Sequence, residues 1–200
     1  CDWSSDVCSS DLTLTNYREP NAPVGKLSRG HLVAGFLQGD DEPLAYLEKI
    51  AQQADDYSGF NLLVGTRQQA AVFSNRGTPP QLLAAGLYGL SNHLLDSPWP
   101  KTQRLKSGLT DLVKQPMIDV EQALKLLEDQ TQPEDKDLPV TGVSVDWERM
   151  LATAFIKLPV YGTRASSVLL LGQQRARFVE QTWLNGERGE LAEFEFEYAS

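Results

Sequence analysis

The chain has 200 residues, 41% of them hydrophobic, with 18 Lys and Arg against 27 Asp and Glu, for a formal net charge of −9. That length fits one domain with its own apolar core. The acidic balance speaks against nucleic acid or an anionic membrane surface as a partner, since both select clustered Lys and Arg. The longest apolar run, Val168-Leu169-Leu170-Leu171, is strand-sized and excludes a helical membrane span.

In chain order, residues 13–18 ("TLTNYR") read as the end of a strand entering a loop. "SRGHLVAGFLQG" predicts a short helix capped by Ser28, with Leu32, Val33, Phe36 and Leu37 as its apolar face. "DDEPLAYLEKIAQQA" predicts a second helix, capped by Asp40 or Asp41, with Pro43 in its first turn and Leu44, Leu47 and Ile50 inward. "GFNLLVGT" and "AAVFSN" predict two strands joined by a turn at Arg67-Gln68-Gln69, with Phe60, Leu62 and Val64 in the core. "PQLLAAGLYGLSN" predicts two further short strands broken near Gly86.

Helical spacing returns from Lys101 through Leu105, Leu109, Leu112 and Val113, and again from Asp119 through Val120, Ala123, Leu124 and Leu127. "DQTQPEDKDLPVTG" predicts a surface loop, and residues 147–151 a short helix. The tail predicts four strands, "TAFIKLP", "SSVLLLG", "ARFVEQTWL" and "LAEFEFEYA", with a hairpin turn at "NGE" (185–187). The last strand alternates Phe194, Phe196 and Tyr198 with Glu193, Glu195 and Glu197, the pattern of a sheet covered on one side. Antiparallel strands interspersed with helices make an α+β domain.

The opening "CDWSSDVCSSDL" holds both cysteines, Cys1 and Cys8. It lacks the basic-then-apolar pattern of a secretory signal, and with no later cysteine a disulfide framework is excluded, so a cytoplasmic protein is expected. A thiol at position 1 invites comparison with N-terminal nucleophile hydrolases, whose α-amine serves as the base. The residues that follow are polar and acidic, and carboxylates beside a thiol raise its pKa, the wrong direction for a nucleophile. Codon by codon, residues 2–12 resemble the translation of a common short-read sequencing adapter. Residues 1–12 are therefore expected to stand outside the fold. Without Asp2, Asp6 and Asp11 the net charge falls from −9 to −6.

From Thr13 onward the chain resembles the NRDE family, also called the transport and Golgi organisation protein 2 family. The resemblance is carried by "LTNYREP" (14–20), "SRGHLV" (28–33), "YSGFNLLVG" (57–65), "YGLSNHLLDSPWPKT" (88–102), "LPVTGVSVDWER" (138–149), "YGTRASSVLLL" (161–171) and "FVEQTW" (178–183). It covers residues 13–200 as a single family domain. Members of the family begin Met-Cys before an apolar strand and then carry Asn-Arg-Asp-Glu and Gly-Gly-Thr-Trp motifs. Those are absent here, so the chain is expected to be the C-terminal majority of a member, inactive by itself and folding marginally with open sheet edges.

The resemblance implies an N-terminal nucleophile hydrolase-like αββα sandwich of antiparallel sheets, incomplete at the N-terminus. It also implies possible cysteine-type hydrolysis of a non-peptide amide bond in the full-length protein. A developing oxyanion needs fixed neutral donors, and by position in the resemblance these are Asn16 and Asn92, with Arg164 orienting catalytic groups or binding a carboxylate. Arg18, Ser91 and Tyr161 are expected to line the ligand site.

Each residue also has a plainer reading. Asn16 and Asn92 can hold turns; Trp99, between two prolines, can be a packing anchor; His31 and His93 are too far apart in sequence to suggest a metal site. No cofactor is expected, though haem is possible as a ligand. The alternative function is a non-enzymatic carrier of haem, acyl-CoA or lipid.

Overall fold

The structure, a computed structural model, describes residues 10–198, so Cys1 and Cys8 and the expectations attached to them lie outside the described residues. The described chain separates after Ser97 into two compact units.

The first unit contains β1 (Ser10–Asn16), α1 (Gly30–Leu37), α2 (Pro43–Ala51), β2 (Phe60–Thr66), β3 (Ala70–Ser74) and β4 (Thr78–Leu83). The strands form one antiparallel sheet in the order β1-β2-β3-β4. Period-2 alternation puts Phe60, Leu62 and Val64 on one face beside Ala71 and Phe73. That face packs on Leu32 and Phe36 of α1 and on Tyr46, Leu47 and Ile50 of α2. Each such side chain taken from water stabilises the fold by about 1.5–3 kcal/mol. The Tyr46 hydroxyl donates to the Leu32 carbonyl at 2.6 Å. Burial pushes its pKa up to about 12.

The β1–β2 ladder begins at Ser10↔Thr66 and so takes in the last three residues of the stretch that resembles adapter. Main-chain pairing asks for no particular side chain, and Leu12 falls opposite Val64 on the inward face. Helix α2 starts one residue later than a cap at Asp41 predicts and two later than a cap at Asp40. Glu42 is its N-cap, without a side-chain cap bond, and Asp41 instead pairs with Lys49 at 2.6 Å. Only one of the two strands expected in 80–92 forms, as β4, and residues 84–97 lack regular structure. Pro79 and Pro80 are tolerated in β4 because it pairs on one side only.

The second unit contains α3 (Pro100–Leu112), α4 (Val120–Leu126), α5 (Val145–Leu151), β5 (Ala165–Leu171), β6 (Arg175–Leu184) and β7 (Glu187–Glu197). Its antiparallel sheet runs β5-β6-β7. The Asp119 carboxylate caps α4 by accepting from the Gln122 N–H at 3.1 Å. Val120 and Leu124 of α4 pack on Val179, with Val168 and Leu170. The hairpin turn between β6 and β7 has Asn185 at φ 53° and Gly186 at φ 78°, the paired left-handed conformations of a type I′ turn.

One expectation fails in this unit, and another gains detail. "TAFIKLP" forms no strand; among the described residues it contributes a single bridge, Lys157↔Gly162, and Phe155 is buried edge-on against Trp183. The alternation of β7 forms, but α4 packs on the opposite side from the phenylalanines. Val179, paired with Glu193, faces the helix, whereas Phe194, paired with Phe178, is 50% exposed. Periodicity says which residues share a face, not which face a helix will cover. On the helix side Glu193 and Glu195 pair with Arg177 and Arg175 of β6, at 2.7 and 3.0 Å.

The fold class is α+β with two antiparallel sheets, and no helix among the described residues is long and apolar enough to cross a membrane.

Candidate functional site

Four of the six expected site residues meet at the end of β1. The register sets Thr15 beside Asn61 and Asn16 beside Phe60. Because Phe60, Leu62 and Val64 point to the helices, Asn61 and Thr15 point to the other face. The Thr15 hydroxyl donates to the Ser91 carbonyl at 2.9 Å. The Asn61 Nδ2 donates to Thr15 Oγ1 and to the His93 carbonyl, both at 2.9 Å, and more weakly to the Ser91 carbonyl at 3.4 Å. Residues 91–93 therefore lie across the end of the sheet. Asn92, between the two gripped carbonyls, is held from the other side. Its carbonyl accepts from the Arg18 N–H at 2.7 Å, and its Nδ2 donates to the Asn16 carbonyl at 2.9 Å.

The loop that delivers these residues is closed on itself. The Asp96 N–H donates to the Gly89 carbonyl at 2.7 Å, and the Gly89 N–H donates to Asp96 Oδ1 at 2.8 Å. The Ser97 hydroxyl gives its single hydrogen to the Leu94 carbonyl at 2.7 Å. The His93 Nδ1, 2.6 Å from the same oxygen, must then be the donor, which assigns the ring's tautomer. The His93 and Tyr17 rings lie 5.1 Å apart. Burial, with the nearby Glu19 charge, raises the Tyr17 pKa.

Glu19 anchors the strand exit. Arg76 grips it with two parallel bonds, Nε to Oε2 at 2.6 Å and Nη2 to Oε1 at 2.8 Å. The Gly59 N–H also donates to Oε1 at 2.9 Å. The Arg76 hydrogen bonds hold the Glu19 carboxyl below its usual range. Gly59 is required here, since a Cβ would lie 2.3 Å from Glu19 Oε1 and 2.9 Å from the Tyr17 Cβ.

The other two residues belong to the second unit. Tyr161 lies on a tight loop closed by the Leu158 N–H to the Tyr161 carbonyl at 3.0 Å and the Thr163 N–H to the Ile156 carbonyl at 2.8 Å. Arg164 follows directly, with its carbonyl accepting from the Trp183 N–H at 2.8 Å. Both side chains are exposed, and Arg164 forms no ion pair among the described residues. Of the residues given plainer readings, Trp99 is buried with Lys101 over its ring, and His31 is exposed.

Asn61 is the residue that sequence reasoning missed. It is 1% exposed, and its Oδ1 is buried with no partner among the described residues. Leaving such an acceptor unpaired costs about 1–3 kcal/mol. The visible signal was a lone amide at the outward parity of an apolar strand, between Phe60 and Leu62.

A single protein-family model, Transport and Golgi organisation 2, matches residues 12–185, across both units. The chain belongs to that family. It is 32% identical over 206 residues to the transport and Golgi organization protein 2 homolog of Bos taurus, covering 94% of this chain and 74% of that protein. The Mus musculus homolog is 29% identical over 200 residues, covering 92% and 72%. The Homo sapiens homolog is 32% identical over 172 residues, covering 79% of this chain and 62% of that protein. Membership agrees with the resemblance carried by "LTNYREP", "YGLSN" and "YGTR".

Proposed function

We propose that this chain contributes the oxyanion side of an amidohydrolase site of the cysteine-type N-terminal nucleophile class, set in the αββα architecture that class implies. The observation that carries the reading is the pinned Asn92 carboxamide. One Nδ2 hydrogen is held by the Asn16 carbonyl, which orients the group and leaves the second hydrogen available to a ligand oxygen. A thiolate attacking an amide carbon drives the carbonyl electron pair onto oxygen, and a pre-oriented neutral donor stabilises that charge without reorganising. Collapse of the intermediate breaks the C–N bond, the nitrogen leaving as an amine once it takes a proton. Asn16 is the second candidate donor. Arg18, Ser91 and Tyr161 are the candidate ligand contacts, and Arg164 the carboxylate-binding or orienting group.

Residues 13–200 hold no cysteine, so the nucleophile of this reading is not among them. This chain is expected to turn over no amide, and Cys1→Ala to change nothing; turnover abolished by that substitution would overturn the exclusion of Cys1. The full test uses a family member with cysteine after the initiator methionine, treated with a thiol-directed amide analogue and examined by mass spectrometry. One adduct on that cysteine is expected, forming about 10²-fold more slowly when the counterpart of Asn92 is alanine. No adduct, together with saturable binding of haem or acyl-CoA, would overturn hydrolysis in favour of a cytoplasmic carrier, a role closer to the transport in the relatives' name.

A further inference from the structure

Asn61 is an unexpected residue for its place. Its strand neighbours Phe60 and Leu62 are fully buried hydrophobics, and Leu63 follows two positions after Asn61 on its own face. An apolar side chain there would leave no unpartnered oxygen. What the carboxamide adds is its Nδ2, which reaches the carbonyls of Ser91 and His93, the residues on either side of Asn92. With the carbonyls of Ser91 and His93 held by Asn61 from the sheet, the carbonyl between them, that of Asn92, accepts from the Arg18 N–H instead.

We propose that Asn61 is a positioning residue, which sets the orientation of Asn92 by holding the main chain on both sides of it from the face of the sheet. Its catalytic meaning rests on the reading of Asn92 as an oxyanion donor; its structural content does not. Thr15 acts with it, accepting from Asn61 Nδ2 while donating to the Ser91 carbonyl. The bare Oδ1 follows from this arrangement. With three acceptors gathered on the amide nitrogen, the oxygen is turned to the side where no described donor lies.

The test compares Asn61→Leu with a control, Leu63→Ala, on the same strand and face. For each variant, amide hydrogen exchange at Arg18 and the NMR signals of the Asn92 side-chain amide are read beside urea unfolding. Asn61→Leu is expected to speed Arg18 exchange at least about tenfold relative to the amides of β2 and to move the shifts of the two Asn92 amide protons to those of a free, solvated carboxamide. Leu63→Ala should change stability while leaving both signals in place. If Asn61→Leu does not fold, Asn61→Ser serves, because a hydroxyl has one hydrogen and cannot hold both carbonyls. Unchanged Arg18 and Asn92 signals in a folded variant would overturn the proposal, whatever the covalent-capture experiment gives. Failure of covalent capture alone would overturn only the amidase reading.

Discussion

Glu19, Gly59 and Arg76 show how single residues hold the strand exit in place. The Glu19 carboxyl is depressed mainly by the Arg76 hydrogen bonds. Its contribution is therefore present above the unfolded carboxylate pKa and is lost as pH falls through the lower folded value. Both side chains are about a quarter exposed, at 25% and 29%, so solvent screening limits the bridge to about 1 kcal/mol. Glu19→Gln should remove that much at pH 7, and its urea midpoint should fall less than that of the parent as the pH drops through the acid range. Parallel curves for parent and variant would show that the bridge is not pH-linked stability. Gly59→Ala should cost more, about 1–3 kcal/mol, because the new Cβ meets Glu19 Oε1 at 2.3 Å with the carboxylate already fixed by Arg76. A thermal melt reads this directly, and an unchanged melting temperature would mean Glu19 is free to move.

At the scale of elements, periodicity identified helices more reliably than it identified their ends. Helix α4 and its Asp119 cap were both legible, since a capping carboxylate immediately precedes an apolar repeat. Asp119→Ala should destabilise by about 1 kcal/mol, measurable by urea unfolding. The start of α2 was misread because Asp40, Asp41 and Glu42 are all acidic, and Lys49 draws Asp41 into an ion pair. The "NGE" hairpin was legible because only a few residue types accept two consecutive left-handed positions. Gly186→Ala, at φ 78° and with its Cβ 2.4 Å from the Lys157 Cδ, should cost about 1 kcal/mol. The lysine can swing aside, so the backbone term should dominate and Lys157→Ala should not rescue it. "TAFIKLP" failed as a strand because apolar character there serves burial of Phe155 against Trp183 rather than ladder pairing.

For the molecule, the two units differ in how much apolar surface they enclose. The first has a continuous cluster from Leu32 to Phe73 under two helices, whereas the cluster beneath α4 centres on Val120, Leu124 and Val179. Hydrogen exchange should accordingly be slowest in β2 and β3 and fastest among the strands in β7, an edge strand whose Leu191 is 56% exposed and Phe194 50% exposed. Equal protection in β7 and β2 would mean that the edge is covered in solution. The glutamates of β7 put repeated charge along that edge, which discourages pairing with another copy of itself.

The sequence alone determined the α+β class, most of the helices and strands, the core residues Phe60, Leu62 and Val64, and the family. These follow from local periodicity, turn chemistry and motifs, all of which are short-range in the chain. The meeting of Asn16, Arg18 and Asn92 was anticipated only through family resemblance, because 76 residues separate the two asparagines. The role of Asn61 was decided wholly by tertiary structure. Strand parity points it away from the core, but what it meets there is set by a loop 30 residues further on, and no local pattern encodes that crossing. The side of the second sheet taken by α4 was settled in the same way, since alternation defines two faces and packing alone chooses between them.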